Sequence, residues 1–235
     1  MLYIAARDIG NYKDNTERLK EILIKSEIIL AESFREATTL FKILNINIEK
    51  EKLIEFSEHT NEKEICEIIN KILNCKIATL ISDCGTPVLE DPGKMLLEYC
   101  YLNKILVSPI PGVSSITAAI MCLPFNFKEF YYAGLLSRDD KERERKLINF
   151  KKLNIPIIIL DTPYRMNKVL NAIKKVYSKN KIVGLCLDLT TDREEIIIDE
   201  IGNICDRFNS KNEDKNKNQK ENKKEKKREF IIVIS

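Results

Sequence analysis

Tryptophan is absent from the 235 residues, histidine occurs once, and glycine and proline appear only seven times each. Each scarcity excludes something. Without Trp, and with 7% aromatic residues, the chain offers little for a broad aromatic-lined pocket. A single histidine, His59, and seven cysteines with no C-x-x-C pair leave no recognisable zinc pattern. Cys66, Cys75 and Cys84 fall nine apart, but their neighbours read as a helix, a helix end and a loop, so no metal is expected. The bland reading of the cysteines is reduced, mostly buried thiols. No apolar run approaches the roughly eighteen residues a membrane span needs. Leu2-Tyr3-Ile4-Ala5 follows the first methionine with no basic or apolar leader pattern, so a cytoplasmic protein is expected.

What is present is an ordinary globular balance, 44% hydrophobic and 32% charged, with a formal net charge of +3. That charge is concentrated. Between Lys211 and Glu229 nine Lys or Arg meet five Asp or Glu, leaving the remainder near neutrality. Asn209 to Lys227 is almost wholly Lys, Asn, Glu, Gln and Asp, and is expected to be a disordered loop over about 209–228. The apolar Phe230 to Ile234 after it is expected to return to a sheet as a strand.

The first hundred residues alternate short apolar runs with helical patterns. Leu2 to Ala6, Ile28 to Ala31, Leu53 to Phe56, Ile77 to Ile81 and Ile105 to Val107 read as strands. Ile65, Ile68, Ile69 and Ile72 make one helical face, with Asn61 and Glu64 spaced as a capping box. Such apolar strands separated by helices predict a parallel sheet covered on both faces. After Pro109-Ile110-Pro111-Gly112 the order changes. Strands are expected at Tyr131 to Leu135, Pro156 to Leu160, Ile182 to Leu187, Glu195 to Ile201 and Phe230 to Ile234. Some follow one another without helices, which predicts a mixed sheet. The expectation is an α/β protein of two domains, 1–110 and 111–235.

The glycines mark two loops. Ser82-Asp83-Cys84-Gly85-Thr86-Pro87-Val88-Leu89-Glu90-Asp91-Pro92-Gly93 follows one strand and precedes a helix. Ligands of open α/β sheets gather at such carboxyl ends, and glycine lets main chain approach them closely. Ser108-Pro109-Ile110-Pro111-Gly112-Val113-Ser114-Ser115 turns a second strand into a helix, where Ser114 is either a cap or part of an anion site.

Together, S-D-x-G-T-P-x(4)-P-G and the later P-x-P-G-x-S-S resemble the tetrapyrrole-methylase superfamily. The nearest branch is the ribosomal RNA small subunit methyltransferase I type, which methylates a cytidine 2′-hydroxyl of 16S rRNA. Ile9-Gly10-Asn11, Ala31-Glu32 with Arg35, Glu58-His59, Thr162-Pro163-Tyr164-Arg165 and Leu189-Thr190 extend the likeness over nearly the whole chain. The resemblance implies a two-domain tetrapyrrole-methylase fold with S-adenosylmethionine between the domains, a homodimer, and an rRNA or small-subunit partner. It places Gly85, Thr86, Pro87, Val88 and Asp91 along the cofactor, and Ser114 and Ser115 at its amino-acid or sulfonium end. Leu136, Thr162, Leu187, Asp188 and Leu189 would border the adenosine.

The acceptor side departs from that branch. Its A-T-P-I-G-N is here Ala6-Arg7-Asp8-Ile9-Gly10-Asn11, and its A-E-D-T-R is Ala31-Glu32-Ser33-Phe34-Arg35. Its R-E-L-T-K becomes Leu187-Asp188-Leu189-Thr190-Thr191. A sister group with S-E-H-T and T-P-Y-R fits as well. His59, Glu32 and Arg35 are the candidate catalytic residues. The bland readings are a rim histidine, and arginines Arg35 and Arg165 paired with Glu32 and Asp161 as scaffold. Two alternatives stand beside rRNA methylation: the same chemistry on another acceptor, or a cofactor-binding paralogue that binds RNA with little catalysis.

Overall fold

Runs of only four residues, most of them apolar and largely buried, organise the first half of the chain. In the computed structural model, which describes residues 1–90, 92–215 and 227–235 (for 210–215 the backbone alone), they are β1 (Leu2–Ala5), β2 (Ile28–Ala31), β4 (Ala78–Ile81) and β5 (Val107–Ile110), with the shorter β3 (Leu53–Glu55). All pair in parallel in the order β3-β2-β4-β1-β5. α1 (Glu17–Lys25) and α2 (Phe34–Ile43) seal one face with Leu19, Leu23, Ala37 and Leu40. α3 (Glu62–Leu73) and α4 (Lys94–Leu102) seal the other with Ile65, Ile69, Ile72 and Leu96. The capping box on α3 forms as its sequence requires: Asn61 accepts from the Glu64 N–H while Glu64 accepts from the Asn61 N–H.

β5 differs from expectation. It spans Val107–Ile110 rather than Ile105 to Val107, and carries Pro109 opposite Ile4. An edge strand bonds on one side only, so a proline whose missing N–H faces outward is tolerated there.

The chain divides between Ser114 and Ser115 into two compact units. The second begins with α5 (Ser115–Cys122) and holds β6 (Tyr131–Gly134), α6 (Asp140–Lys151), β7 (Ile157–Asp161), α7 (Met166–Tyr177), β8 (Ile182–Leu187), β9 (Glu195–Glu200), α8 (Ile201–Lys215) and β10 (Phe230–Ile234). Its order is β6-β7-β10-β8-β9, with only β6 and β7 parallel. β10 is buried throughout, as an apolar strand between two neighbours should be.

Two expectations are corrected here. The charged tract is not loop from 209 onward, because α8 continues to Lys215. Ile201, Ile204, Cys205 and Phe208 form a buried helical stripe, and the helix they nucleate propagates into polar sequence. Residues 216–226 lie outside the described residues. The cysteines, none in a disulfide, are not mostly buried: Cys100, Cys186 and Cys205 are, whereas Cys66, Cys84 and Cys122 are exposed.

Candidate active site

The loop after β4 has the most constrained backbone in the first unit. Gly85 sits at φ +68° and Gly93 at +151°, and between them Val88 (+75°) and Glu90 (+77°) are also left-handed. A β-branched residue there is strained, at a cost of roughly 1–3 kcal/mol, and persists only where its surroundings fix it. They do so here. The Gly85 N–H donates to the Asp8 carbonyl (3.1 Å) and the Arg7 N–H to the Gly85 carbonyl (2.9 Å), so the turn after β1 and this loop hold each other. Ser82 donates to the Cys84 carbonyl (2.9 Å), and Thr86 Oγ1 to the Val113 carbonyl (3.0 Å). The second motif packs on the same strand end. A Cβ on Gly112 would come within 3.1 Å of Ala6 Cβ and 3.3 Å of its carbonyl oxygen, and a Cβ on Gly85 within 3.2 Å of Ile9 Cγ2. Both motifs thus converge on the carboxyl end of β1, where a parallel sheet presents its ligands.

Charged groups line this edge. Arg7 is 5% exposed; it donates to the Glu36 carbonyl and lies 3.6 Å from Asp8. Burial, with Glu36 nearby, pushes the Asp83 carboxyl above its ordinary range, while the Ser33 N–H and Arg7 oppose that rise. Glu32 follows β2 and is half-buried; it lines a small cleft with Phe56, Ser82, Pro87 and Pro92. Arg35 is exposed in the first turn of α2. His59 is 87% exposed, in the loop after the edge strand β3, 3.8 Å from the Glu58 carboxylate. β2 neighbours β3, so Glu32 and His59 stand on adjacent loops. Asp91 lies outside the described residues.

In the second unit, Leu136 and Leu187 are core residues, 2% and 0% exposed, and Leu189 is buried as well. Any ligand they meet would contact backbone or an edge of the side chain. The loop carrying Leu136 is pinned by Arg165, whose guanidinium donates to the Leu136 (2.6 Å) and Ser137 (2.9 Å) carbonyls and lies 3.4 Å from Asp161. Arg165 thus pairs with Asp161 as part of the scaffold. Burial raises the Asp161 carboxyl, against hydrogen bonds from the Thr162 N–H and the charge of Arg165. Asp188 is 5% exposed and committed to protein partners: Arg228 Nε donates to it at 2.7 Å, Arg193 lies at 3.0 Å, and the Glu229 N–H donates at 3.1 Å. Sequence reasoning missed Arg228, because it stands at the end of a tract that reads as solvated. Among the described residues, no group of three or more His, Cys, Asp or Glu is arranged to hold a metal ion.

Residues 1–205 match the family model of the Tetrapyrrole (Corrin/Porphyrin) Methylases. The chain belongs to this family. A ribosomal RNA small subunit methyltransferase I of Leptospira borgpetersenii serovar Hardjo-bovis is 32% identical over 196 residues, 82% of this chain and 76% of that protein. Its counterpart in Thermotoga maritima is 30% identical over 210 residues, covering 89% and 92%. Uroporphyrin-III C-methyl transferase of Thermus thermophilus, solved with S-adenyl homocysteine, superposes with a TM-score of 0.64 over all of this chain and 96% of that one, at 11% identity. That last likeness speaks for the fold; family and relatives make this tetrapyrrole methylase a methyltransferase. No helix among its described residues is long and apolar enough to cross a membrane.

Proposed function

We propose that the protein is a cytoplasmic S-adenosylmethionine-dependent enzyme that methylates a ribose 2′-hydroxyl of a cytidine in small-subunit rRNA. The observation that carries the donor assignment is the left-handed loop of Ser82–Gly93 locked to the carboxyl end of β1. Gly85 against Ile9 and Gly112 against Ala6 leave little room for a side chain, so main chain packs onto the strand end where a parallel sheet presents its ligands. Relatives about 30% identical over most of both chains, named for small-subunit rRNA methylation, support the acceptor.

In this reading Gly85, Thr86, Pro87, Val88 and Asp91 run along the donor. Ser114 and Ser115 face its amino-acid or sulfonium end, and Leu136, Thr162, Leu187, Asp188 and Leu189 border its adenosine. Given the burial of the three leucines and the commitment of Asp188, the adenosine contacts there are main-chain ones. The sulfonium supplies an activated methyl group, so the chain's main task is to align acceptor oxygen, methyl carbon and sulfur. The methyl would pass to the ribose oxygen as its bond to sulfur breaks, with the bonding pair taken by sulfur and the hydroxyl proton taken by an acceptor. Glu32 and His59 are the candidates for that acceptor, and Arg35 for a grip on the neighbouring phosphate. Tyr101, Leu102 and Leu106, which are 83%, 72% and 68% exposed on the first unit, support a homodimer.

The test is transfer of labelled methyl to 30S subunits lacking the modification, with the modified nucleotide mapped. We expect one ribose-methylated cytidine and loss of transfer in Glu32→Gln or His59→Ala. Donor binding without transfer to rRNA would remove the rRNA acceptor and leave another substrate or a non-catalytic binder.

A further inference from the structure

β10 enters the second sheet between β7 and β8 and runs antiparallel to both. Its first residue, Phe230, therefore pairs with Asp161 at the end of β7 and with Leu187 at the end of β8. The residues just before it, Lys227 to Glu229, stand at the carboxyl ends of these two strands, and the loops leaving there are the ones assigned to adenosine.

The contacts are specific. Lys227 Nζ lies over the Tyr164 ring, 3.1 Å from its centroid, in the turn after β7. Arg228 reaches the loop after β8 with three donors: Nε to Asp188 Oδ2 (2.7 Å), Nη1 to Glu195 Oε2 (2.6 Å), and Nη2 to the Arg193 carbonyl. Main chain adds two bonds, Asp188 N–H to the Glu229 carbonyl (2.9 Å) and Glu229 N–H to Asp188 Oδ1 (3.1 Å). What they hold is strained. Asp188 has φ +47° and Thr190, a β-branched residue, +66°. Residues without glycine's freedom keep such backbone only where neighbours over-determine it. A guanidinium bridging the start (Asp188) and end (Glu195) of one loop is a rigid fork suited to this, which a lysine replaces poorly.

We infer that Arg228 is a positioning residue for the methyl donor: by bridging Asp188 and Glu195 it holds the Leu187–Thr190 turn in the left-handed backbone that meets the adenosine. The inference rests on the donor reading above. It also gives a role to the carboxyl end of the charged tract, which is tied to the site side of the sheet.

The test compares the full-length wild type with Arg228→Ala, Arg228→Lys and a core control, Ile173→Val, in donor affinity by calorimetry, thermal midpoint, and kcat and KM for donor. Arg228→Ala should weaken donor binding about ten-fold or more, corresponding to about 1.4 kcal/mol, and raise KM for the donor more than it lowers kcat. Arg228→Lys should recover part of the affinity. The control should bind normally despite lower stability, since lost packing alone does not move the turn. Equal donor affinity in Arg228→Ala and wild type, or a loss no larger than in the control, would overturn the inference alone. A wild type that binds no donor would overturn the donor reading and this inference with it.

Discussion

Gly184 shows how little room single positions have in this chain. A Cβ there would lie 2.5 Å and 2.6 Å from the Leu123 methyl carbons, closer than non-bonded carbon atoms pack. Gly184→Ala should cost about 1–3 kcal/mol by overpacking. For a chain of this size that lowers the thermal midpoint by roughly 2–4 °C per kcal/mol, and an unchanged melting curve would contradict the packing described. The cysteines offer a second check. Burial pushes the Cys100 thiol up to about 11 and Cys186 to about 12, so neither supplies thiolate at neutral pH. Cys84 is exposed within the Gly85 loop. Alkylation followed by mass spectrometry should modify Cys66, Cys84 and Cys122 and spare the buried thiols. S-adenosylhomocysteine should protect Cys84 but not Cys66; equal labelling of Cys84 with and without it would place the ligand elsewhere.

Among elements, the clamp between α8, β9 and the start of β10 has a pH signature. Hydrogen bonds from Arg228, then from Arg207, hold the Glu195 carboxyl below its ordinary range, against partial burial. A depressed carboxylate stabilises the fold above its unfolded pKa and loses that contribution as pH falls through the folded value. The stability difference between wild type and Arg228→Ala should therefore be full near neutrality and shrink below about pH 4, as thermal midpoints from pH 7 to 3 would show. A gap that persists undiminished to pH 3 would mean Glu195 is not the partner that matters. Elements also differ in how legible they were. β8 and β10 read directly, because every residue is apolar and each run begins after a charged residue. The α3 cap read directly because two side chains at fixed spacing make it. β5 was misplaced because Pro109 looks like a strand end, and only its edge position makes it tolerable. α8 was missed because its stripe begins where the apolar residues of β9 stop, so two periodicities overlap at Ile201. The candidate site was legible where glycine marks it, at Gly85 and Gly112, and illegible at Arg228, whose partners lie 33 and 40 residues away in sequence.

For the molecule as a whole, a parallel sheet ending in a strained glycine loop and a mixed sheet completed by its last strand make up a tetrapyrrole methylase. The central claim is that Gly85 lies against S-adenosylmethionine. Calorimetric titration of wild type and Gly85→Arg with S-adenosylmethionine tests it most directly, with thermal midpoints recorded to confirm that the variant is folded. The account predicts about one donor bound per wild-type chain in roughly the micromolar range, on the order of −8 kcal/mol, and no measurable binding to the folded variant. Equal binding by both, or none by the wild type, would contradict it.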